Sequence, residues 1–249
     1  MDLANVKALA DLMRLHKPCV VLTGAGTSTE SGLPDFRSPG SGVYSRLDPI
    51  ESLSVEALRE RPAHFWKCFA DLFTLSPDLQ PNRGHVALAE LEREGYVSAV
   101  ITQNIDGLHA RAGSENVIEV HGGLRNCHCV ACGRTYPLQT ALSRLDEVDV
   151  PTCAVCAGLL RPDVVLFGDE MPDCYLDAAE AAASARLILV VGSSLTVSPA
   201  NALAFAARRL AIINREPTLA DAKASVIIRM EAGEALTALA RQLLGEIQL

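Results

Sequence analysis

Short apolar runs punctuated by small or polar turns recur along the 249-residue chain, with helically spaced stretches between them. Cys19 to Thr23 is one such run, rich in β-branched residues and read as a strand buried on both faces. Residues 97–102, 117–120, 164–167, 187–191, 211–213 and 225–228 read the same way. Helices are expected in the N-terminal segment, over 54–75, 85–94 and 173–185, after Ser198-Pro199, and over 231–244. Strands that alternate with helices imply an α/β fold, a Rossmann-like doubly wound parallel sheet. Gly24, Gln103, His121 and Gly192 each follow a strand, so small or polar residues collect at one sheet edge. In open α/β sheets that carboxyl edge is where ligands bind.

Two blocks interrupt this rhythm, residues 39–79 and 124–160. They are assigned to a smaller domain, leaving 1–38, 80–123 and 161–249 as the larger, Rossmann-like one. The first block places Phe65, Trp66, Phe69 and Phe73 at helical spacing. That apolar face suits a helical layer, or rings that line an apolar channel, and the pattern alone leaves both open. The second block contains Cys129-Val-Ala-Cys132 and Cys153-Ala-Val-Cys156. Two residues between thiols let a tight turn present both sulfurs to one ion, and two such turns close a four-sulfur structural site. Cys127 and His128 are spare ligands nearby. The glycine after Cys132 favours the Cys129, Cys132, Cys153, Cys156 set. Cys19, Cys68 and Cys174 read as core or incidental residues.

Composition narrows the classes. Apolar residues make up 49% and the formal net charge is −8, which argues against non-specific binding of nucleic acid or acidic membranes. No apolar run approaches the roughly 20 residues of a spanning helix. The N-terminal segment carries charges at helical spacing without a signal-peptide apolar block, so a cytoplasmic protein is expected. With eight cysteines, half of them in two C-x-x-C pairs, metal binding is the better reading than a disulfide framework.

The candidate chemistry sits at the strand ends. Gly24-Ala25-Gly26 stops the first strand, and its glycines would let backbone N–H groups approach a phosphate. Thr27, Ser28 and Thr29 follow as N-cap candidates for a helix whose positive end faces that phosphate. The spacing misses G-x-G-x-x-G, because position 29 is threonine. Pro34-Asp35-Phe36-Arg37 is a turn-rich loop able to fold over a nucleotide. Gln103-Asn104-Ile105-Asp106-Gly107 gathers two amides and a carboxylate after the second strand. His121, beside two glycines, is placed for general-base work, with an unperturbed pKa of about 6.5. His16, His64, His85, His109 and His128 are expected to be mostly structural or solvent-facing.

Taken together, GAGTSTESGLPDFR from Gly24, QNIDGLH from Gln103, HGG at His121, the paired C-x-x-C, RPDVVLFGDEMP from Arg161 and GSSLTVSPA from Gly192 closely resemble the sirtuin family. The likeness is to a bacterial-type core domain and runs in order over nearly the whole chain. It implies NAD-dependent deacylation of protein lysine on an inverted Rossmann-type domain, with a small helical domain that holds one structural zinc. Carried over by position, Gly24, Ala25, Gly26, Ser28, Thr29, Asp35, Phe36 and Arg37 would contact NAD. Ser193, Ser194 and Asn214, after Gly192, would lie near the adenosine half, with Glu231 near the adenine. Gln103, Asn104, Ile105 and Asp106 resemble the nicotinamide pocket and ribose contacts, Asn104 and Asp106 with catalytic roles. His121 matches the base that takes a ribose hydroxyl proton. Val165, Phe167 and Gly168 resemble the segment that pairs with an acylated peptide as an added strand, with Phe36 and Trp66 near the acyl-lysine. The implied products are nicotinamide, O-acyl-ADP-ribose and free lysine.

Two positions depart from the family pattern: Thr27 stands where an aliphatic residue is usual, and Thr29 where alanine is. The Tyr-x-x-Arg pair of succinyl-preferring members is replaced by Trp66-Lys67-Cys68-Phe69. Without an arginine for a distal carboxylate, acetyl or longer apolar acyl groups are favoured. Protein mono-ADP-ribosylation at the same site is the rival reaction. A Rossmann dehydrogenase would need an acidic ribose ligand about 20 residues past the glycines, where the chain reads as loop and helix.

Overall fold

The computed structural model describes residues 3–35, 48–74 and 79–245. The chain divides into two compact units, one made of Met1–Asp35, Leu79–Val120 and Asp173–Leu249, the other of Phe36–Asp78 and His121–Pro172.

The first unit is built on six parallel strands: β1 (Cys19–Thr23), β2 (Val97–Thr102), β3 (Val117–Glu119), β7 (Ile188–Val191), β8 (Leu210–Ile213) and β9 (Val226–Ile228). Their order is β3-β2-β1-β7-β8-β9. Every residue of β1, β7 and β8 is buried, which explains why they read as continuous apolar runs. Helices α1 (Leu3–His16), α5 (Arg83–Arg93) and α9 (Ala232–Leu244) contribute Leu9, Met13, Leu88, Leu91, Leu236 and Leu239 to one core with Cys19, Val21 and Leu189. Alternation along β1 sends Val20 and Leu22 to the other face. The connections run outward in both directions from the β1/β7 pair, so the crevice past their carboxyl ends is the topological switch point of a doubly wound sheet.

Loops after β1 and β7 meet at that switch point with almost no space between them. Gly26 N–H donates to Gly192 O at 2.9 Å, and Gly24 N–H to Val191 O at 3.1 Å. A Cβ on Gly24 or Gly26 would fall 2.9 Å from Gly192 O, and one on Gly192 2.3 Å from Thr27 N. Gly192 also adopts φ +61, the left-handed region. The glycines therefore serve loop-on-loop packing. The helix expected after them does not form. The chain makes two 3₁₀ turns, Ala25–Thr27 and Thr29–Ser31, without side-chain caps. The expected capping hydroxyls are engaged elsewhere: Thr27 Oγ1 donates to Val191 O and Thr29 Oγ1 to Gly26 O, both at 3.1 Å.

In the second unit, α2 (Pro49–Ser52), α3 (Val55–Glu60) and α4 (Pro62–Phe73) form the helical part. The helix expected over 54–75 is broken at Arg61, because the residue before a proline is pushed out of helical geometry. Strands β4 (Gly122–Cys129), β5 (Thr135–Pro137) and β6 (Leu160–Val164) make an antiparallel sheet in the order β5-β4-β6, with α7 (Leu138–Ser143) beside it. The strand expected at 164–167 in the parallel sheet is thus corrected: β6 pairs with β4, Cys127 opposite Pro162 and Cys129 opposite Leu160. Among the described residues, no helix is long and apolar enough to cross a membrane.

Gly192→Ala combines a left-handed φ with a Cβ clash against backbone, and is expected to destabilise the protein by about 2–4 kcal/mol. Chemical denaturation checks this; an unchanged midpoint would mean the two loops separate easily.

Candidate active site and metal centre

Ser28 is the hub of the first unit's polar cluster. Asn104 Nδ2 donates to Ser28 Oγ at 3.1 Å and to Gly24 O at 3.2 Å, while Ser28 Oγ donates to Asp106 Oδ2 at 2.7 Å. Asp106 Oδ1 accepts the Leu108 N–H at 2.9 Å, so both oxygens act as acceptors and the group works as a carboxylate. Burial nonetheless raises its pKa, opposed by the hydrogen bonds from Leu108 and Ser28. A carboxyl group held where its charge is disfavoured is typical of functional sites.

Below Ser28 lies His85, placed by α5. Asn82 N–H donates to His85 Nδ1 at 3.2 Å, so in the neutral ring the proton sits on Nε2, 3.4 Å from Ser28 Oγ. Ser28 then accepts from Asn104 and His85 and gives its own proton to Asp106. Asn82 also caps α5 through Gly84 N–H and donates to Thr27 O, which ties the helix to the glycine turn. His109 lies 4.7 Å from His85 between ring centroids, the rings tilted at 60°, and shares a 3.0 Å hydrogen bond with Thr23 Oγ1. Burial holds His85 down to about 4 and His109 down to about 3, so both are neutral. The sequence reading left these two histidines as structural or solvent-facing. The signal it passed over was the pair Asn82 and His85, three residues apart, which closes a capping box at the start of α5.

Other candidates of this unit gather at the same edge. Gln103 N–H extends β2 by donating to Thr23 O at 3.0 Å, and its Nε2 donates to Ser193 Oγ at 3.0 Å, across from the β7 turn. Ser194 pairs with Thr196 at 2.9 Å. Asn214, after β8, donates to Glu216 O at 2.8 Å, and Glu231, at the start of α9, accepts from Arg215 at 2.7 Å. Ala25, Ile105 and Asp35 lie in the connecting loops, Asp35 among the charges that face Arg215. Phe36 and Arg37 fall outside the described residues.

The second unit carries the remaining candidates. His121 immediately precedes β4, is half-buried, and its carbonyl accepts the Val165 N–H at 2.9 Å. Phe167 N–H donates to Leu53 O and Phe167 O accepts from Val55 N–H, so this residue's backbone is already paired; Gly168 follows with φ +92. Trp66 presents no surface at all: Phe65 and Phe69 enclose it at 5.9 and 5.7 Å between ring centroids. The aromatic face of α4 is thus packed as core, with Phe65, Trp66 and Phe69 all buried.

Cys129, Cys132, Cys153 and Cys156 bring their sulfurs within 4.8 Å of one another. The Cys129–Cys156 and Cys132–Cys153 separations are 3.5 and 3.7 Å. A tetrahedron of 2.3 Å metal–sulfur bonds has edges of about 3.8 Å, so the set fits zinc. Gly133 at φ +71 and Ala157 at φ +58 close the two knuckle turns. The Tyr136 hydroxyl, 3.1 Å from Cys153 Sγ, pulls that thiol down to about 6 and favours the thiolate a metal needs. Both spare ligands are occupied: Cys127 is buried in β4, and His128 Nδ1 lies 2.6 Å from Asp163.

A Rossmann-ordered sheet with a polar cluster at its switch point, plus a four-thiol zinc module, defines a nucleotide-using enzyme of two-unit build. Comparison with known proteins is specific. The Sir2 family profile matches residues 24–199. NAD-dependent protein deacetylase 1 of Geobacillus kaustophilus is 48% identical over 230 residues, covering 90% of this chain and 93% of its own. NAD-dependent protein deacetylase 2 of Caldanaerobacter subterraneus subsp. tengcongensis is 43% identical over 238 residues, covering 95% of each. A solved Sir2 structure with p53 peptide and NAD+ superposes with a TM-score of 0.84 at 36% identity, covering 96% of this chain and 97% of its own. The chain belongs to the Sir2 family, the sirtuins.

The neutral histidines make stability pH-dependent. Their folded-state pKa values lie below the unfolded value of 6.5, so their contribution is complete above pH 6.5 and is lost as pH falls toward about 4 for His85 and about 3 for His109. Thermal melts of wild type should fall steadily across that window, and those of His109→Gln less steeply; parallel curves would contradict the assignment.

Proposed function

We propose that this chain is an NAD-dependent protein-lysine deacylase that removes acetyl or longer apolar acyl groups and yields nicotinamide, O-acyl-ADP-ribose and free lysine. The observation that carries the reading is the Ser28, Asn104 and Asp106 cluster at the switch point, with every hydrogen-bond direction fixed. Bound there, NAD supplies a ribose carbon that becomes electrophilic as nicotinamide departs. Asn104 and Asp106, with Gln103 and Ile105, hold the nicotinamide and its ribose, and the Gly24 to Thr29 turn, Asp35, Phe36 and Arg37 flank the rest. Gly192, Ser193, Ser194, Asn214 and Glu231 serve the adenosine half.

His121 would act as general base toward a ribose hydroxyl of the bound NAD, the oxygen that receives the acyl group as the lysine nitrogen is released. Val165 and Gly168 offer the strand edge for the peptide, and Phe167 a side-chain contact. Trp66 shapes the acyl site from beneath, through the packing of Phe65 and Phe69. The preference for apolar acyl groups is supported by Trp66-Lys67-Cys68-Phe69, a stretch that offers no arginine to a distal carboxylate. The zinc centre is structural: four thiolates fill the coordination shell, which leaves no position for substrate. Thiols committed to a metal suit a reducing compartment, and we place the reaction in the cytoplasm. The partner is an acylated protein, and the net charge of −8 argues against nucleic acid or an acidic membrane in its place.

Product mass spectrometry on acetyl-, succinyl- and myristoyl-lysine peptides with NAD tests both reaction and preference. O-acyl-ADP-ribose should appear, with succinyl the poorest substrate by kcat/KM. His121→Ala should keep its zinc and lose about 10²–10⁴-fold of turnover. Nicotinamide release with ADP-ribosylated protein and no free lysine would favour the transferase reading instead.

A further inference from the structure

Residues 166–169 close a tight turn. Asp169 N–H donates to Leu166 O at 3.1 Å, and Gly168 occupies the third position with φ +92, the geometry of a type II turn. The Asp169 carboxylate turns back onto the same residue, accepting the Leu166 N–H at 2.7 Å through Oδ2. Arg161, on β6, pairs with that same oxygen, and both side chains are largely shielded, at 22% and 14% exposure. Arg161 Nη2 also donates to Val164 O at 3.4 Å. One guanidinium and one carboxylate thus fix the start and the end of the segment from 164 to 169. Neighbouring bonds complete the frame, Val165 N–H to His121 O and Phe167 N–H to Leu53 O.

On the reading of Val165 and Gly168 as the strand edge offered to the peptide, we infer that Asp169 and Arg161 are positioning residues for substrate binding. Their ion pair holds the edge in the shape an added strand must meet. A preformed edge lowers the ordering cost of binding a flexible peptide, so its loss is read in peptide affinity. Neither side chain is given a part in the chemical step or in the NAD cluster.

Steady-state kinetics with an acetylated peptide and NAD test this on the zinc-loaded protein, using Asp169→Asn, Arg161→Gln and the double variant. Asp169→Asn keeps an acceptor for the Leu166 N–H, so it removes the charge pairing with least disturbance to the fold. Each single variant should raise peptide KM about tenfold, the loss expected for one charge-assisted hydrogen bond. The NAD KM and kcat should stay within about twofold, and the double variant should resemble either single one, since the pair acts as a unit. Zinc content and thermal melting are measured alongside to confirm folding. Unchanged peptide KM in Arg161→Gln, or effects that multiply in the double variant, would overturn the lock. Absence of deacylation by wild type would instead strike the proposed function itself.

Discussion

The rest of the structure depends on how closely two loops can approach. The turns after β1 and β7 are in hydrogen-bonded contact at the switch point, and glycine is the residue whose missing Cβ permits it. That contact fixes where the first turn of the chain points. Once Gly24 is pinned to Val191, its carbonyl becomes a partner for Asn104, and Ser28 falls between Asn104 and Asp106. The polar cluster follows from the packing.

Two threonines of the glycine turn belong to the same contact. Thr27 is wholly buried and bonds to the carbonyl of Val191, strapping the glycine turn to the end of β7. Thr29 bonds back to Gly26 O and tightens the turn locally. Beneath them, two neutral histidines and Asn82 connect the cluster to α5. Burial keeps those imidazoles uncharged, and that lets one act as a donor to Ser28 while accepting from the backbone. The zinc module solves a separate problem. A small antiparallel sheet of three strands has little core of its own, and four thiols converging on one point supply the crosslink it lacks.

Much of this was legible in the chain because it rests on local rules. Fully buried parallel strands announce themselves as apolar runs, and β2 begins and ends where its run does. The metal ligands were legible because C-x-x-C spacing is dictated by the turn it must make. What escaped the sequence was non-local. The partner of Gly26 is Gly192, far along the chain, so the packing role of these glycines has no local signature. The extended segment before Gly168 carries strand-like residues, and only the register against β4 shows that its strand is Leu160–Val164 in another sheet. For His85 and Trp66 the limit is related: whether a ring faces solvent, ligand or core depends on neighbours that periodicity does not name.

If loop-on-loop packing at the switch point builds the nucleotide site, a methyl group placed there should be felt by the nucleotide. Calorimetric titration of NAD into the wild-type protein and into Gly26→Ala, each verified as folded, measures this directly. One saturable site per chain in wild type, with affinity weakened about tenfold or more in the variant, is the expected outcome. Equal affinities, or no saturable binding by wild type, would contradict it.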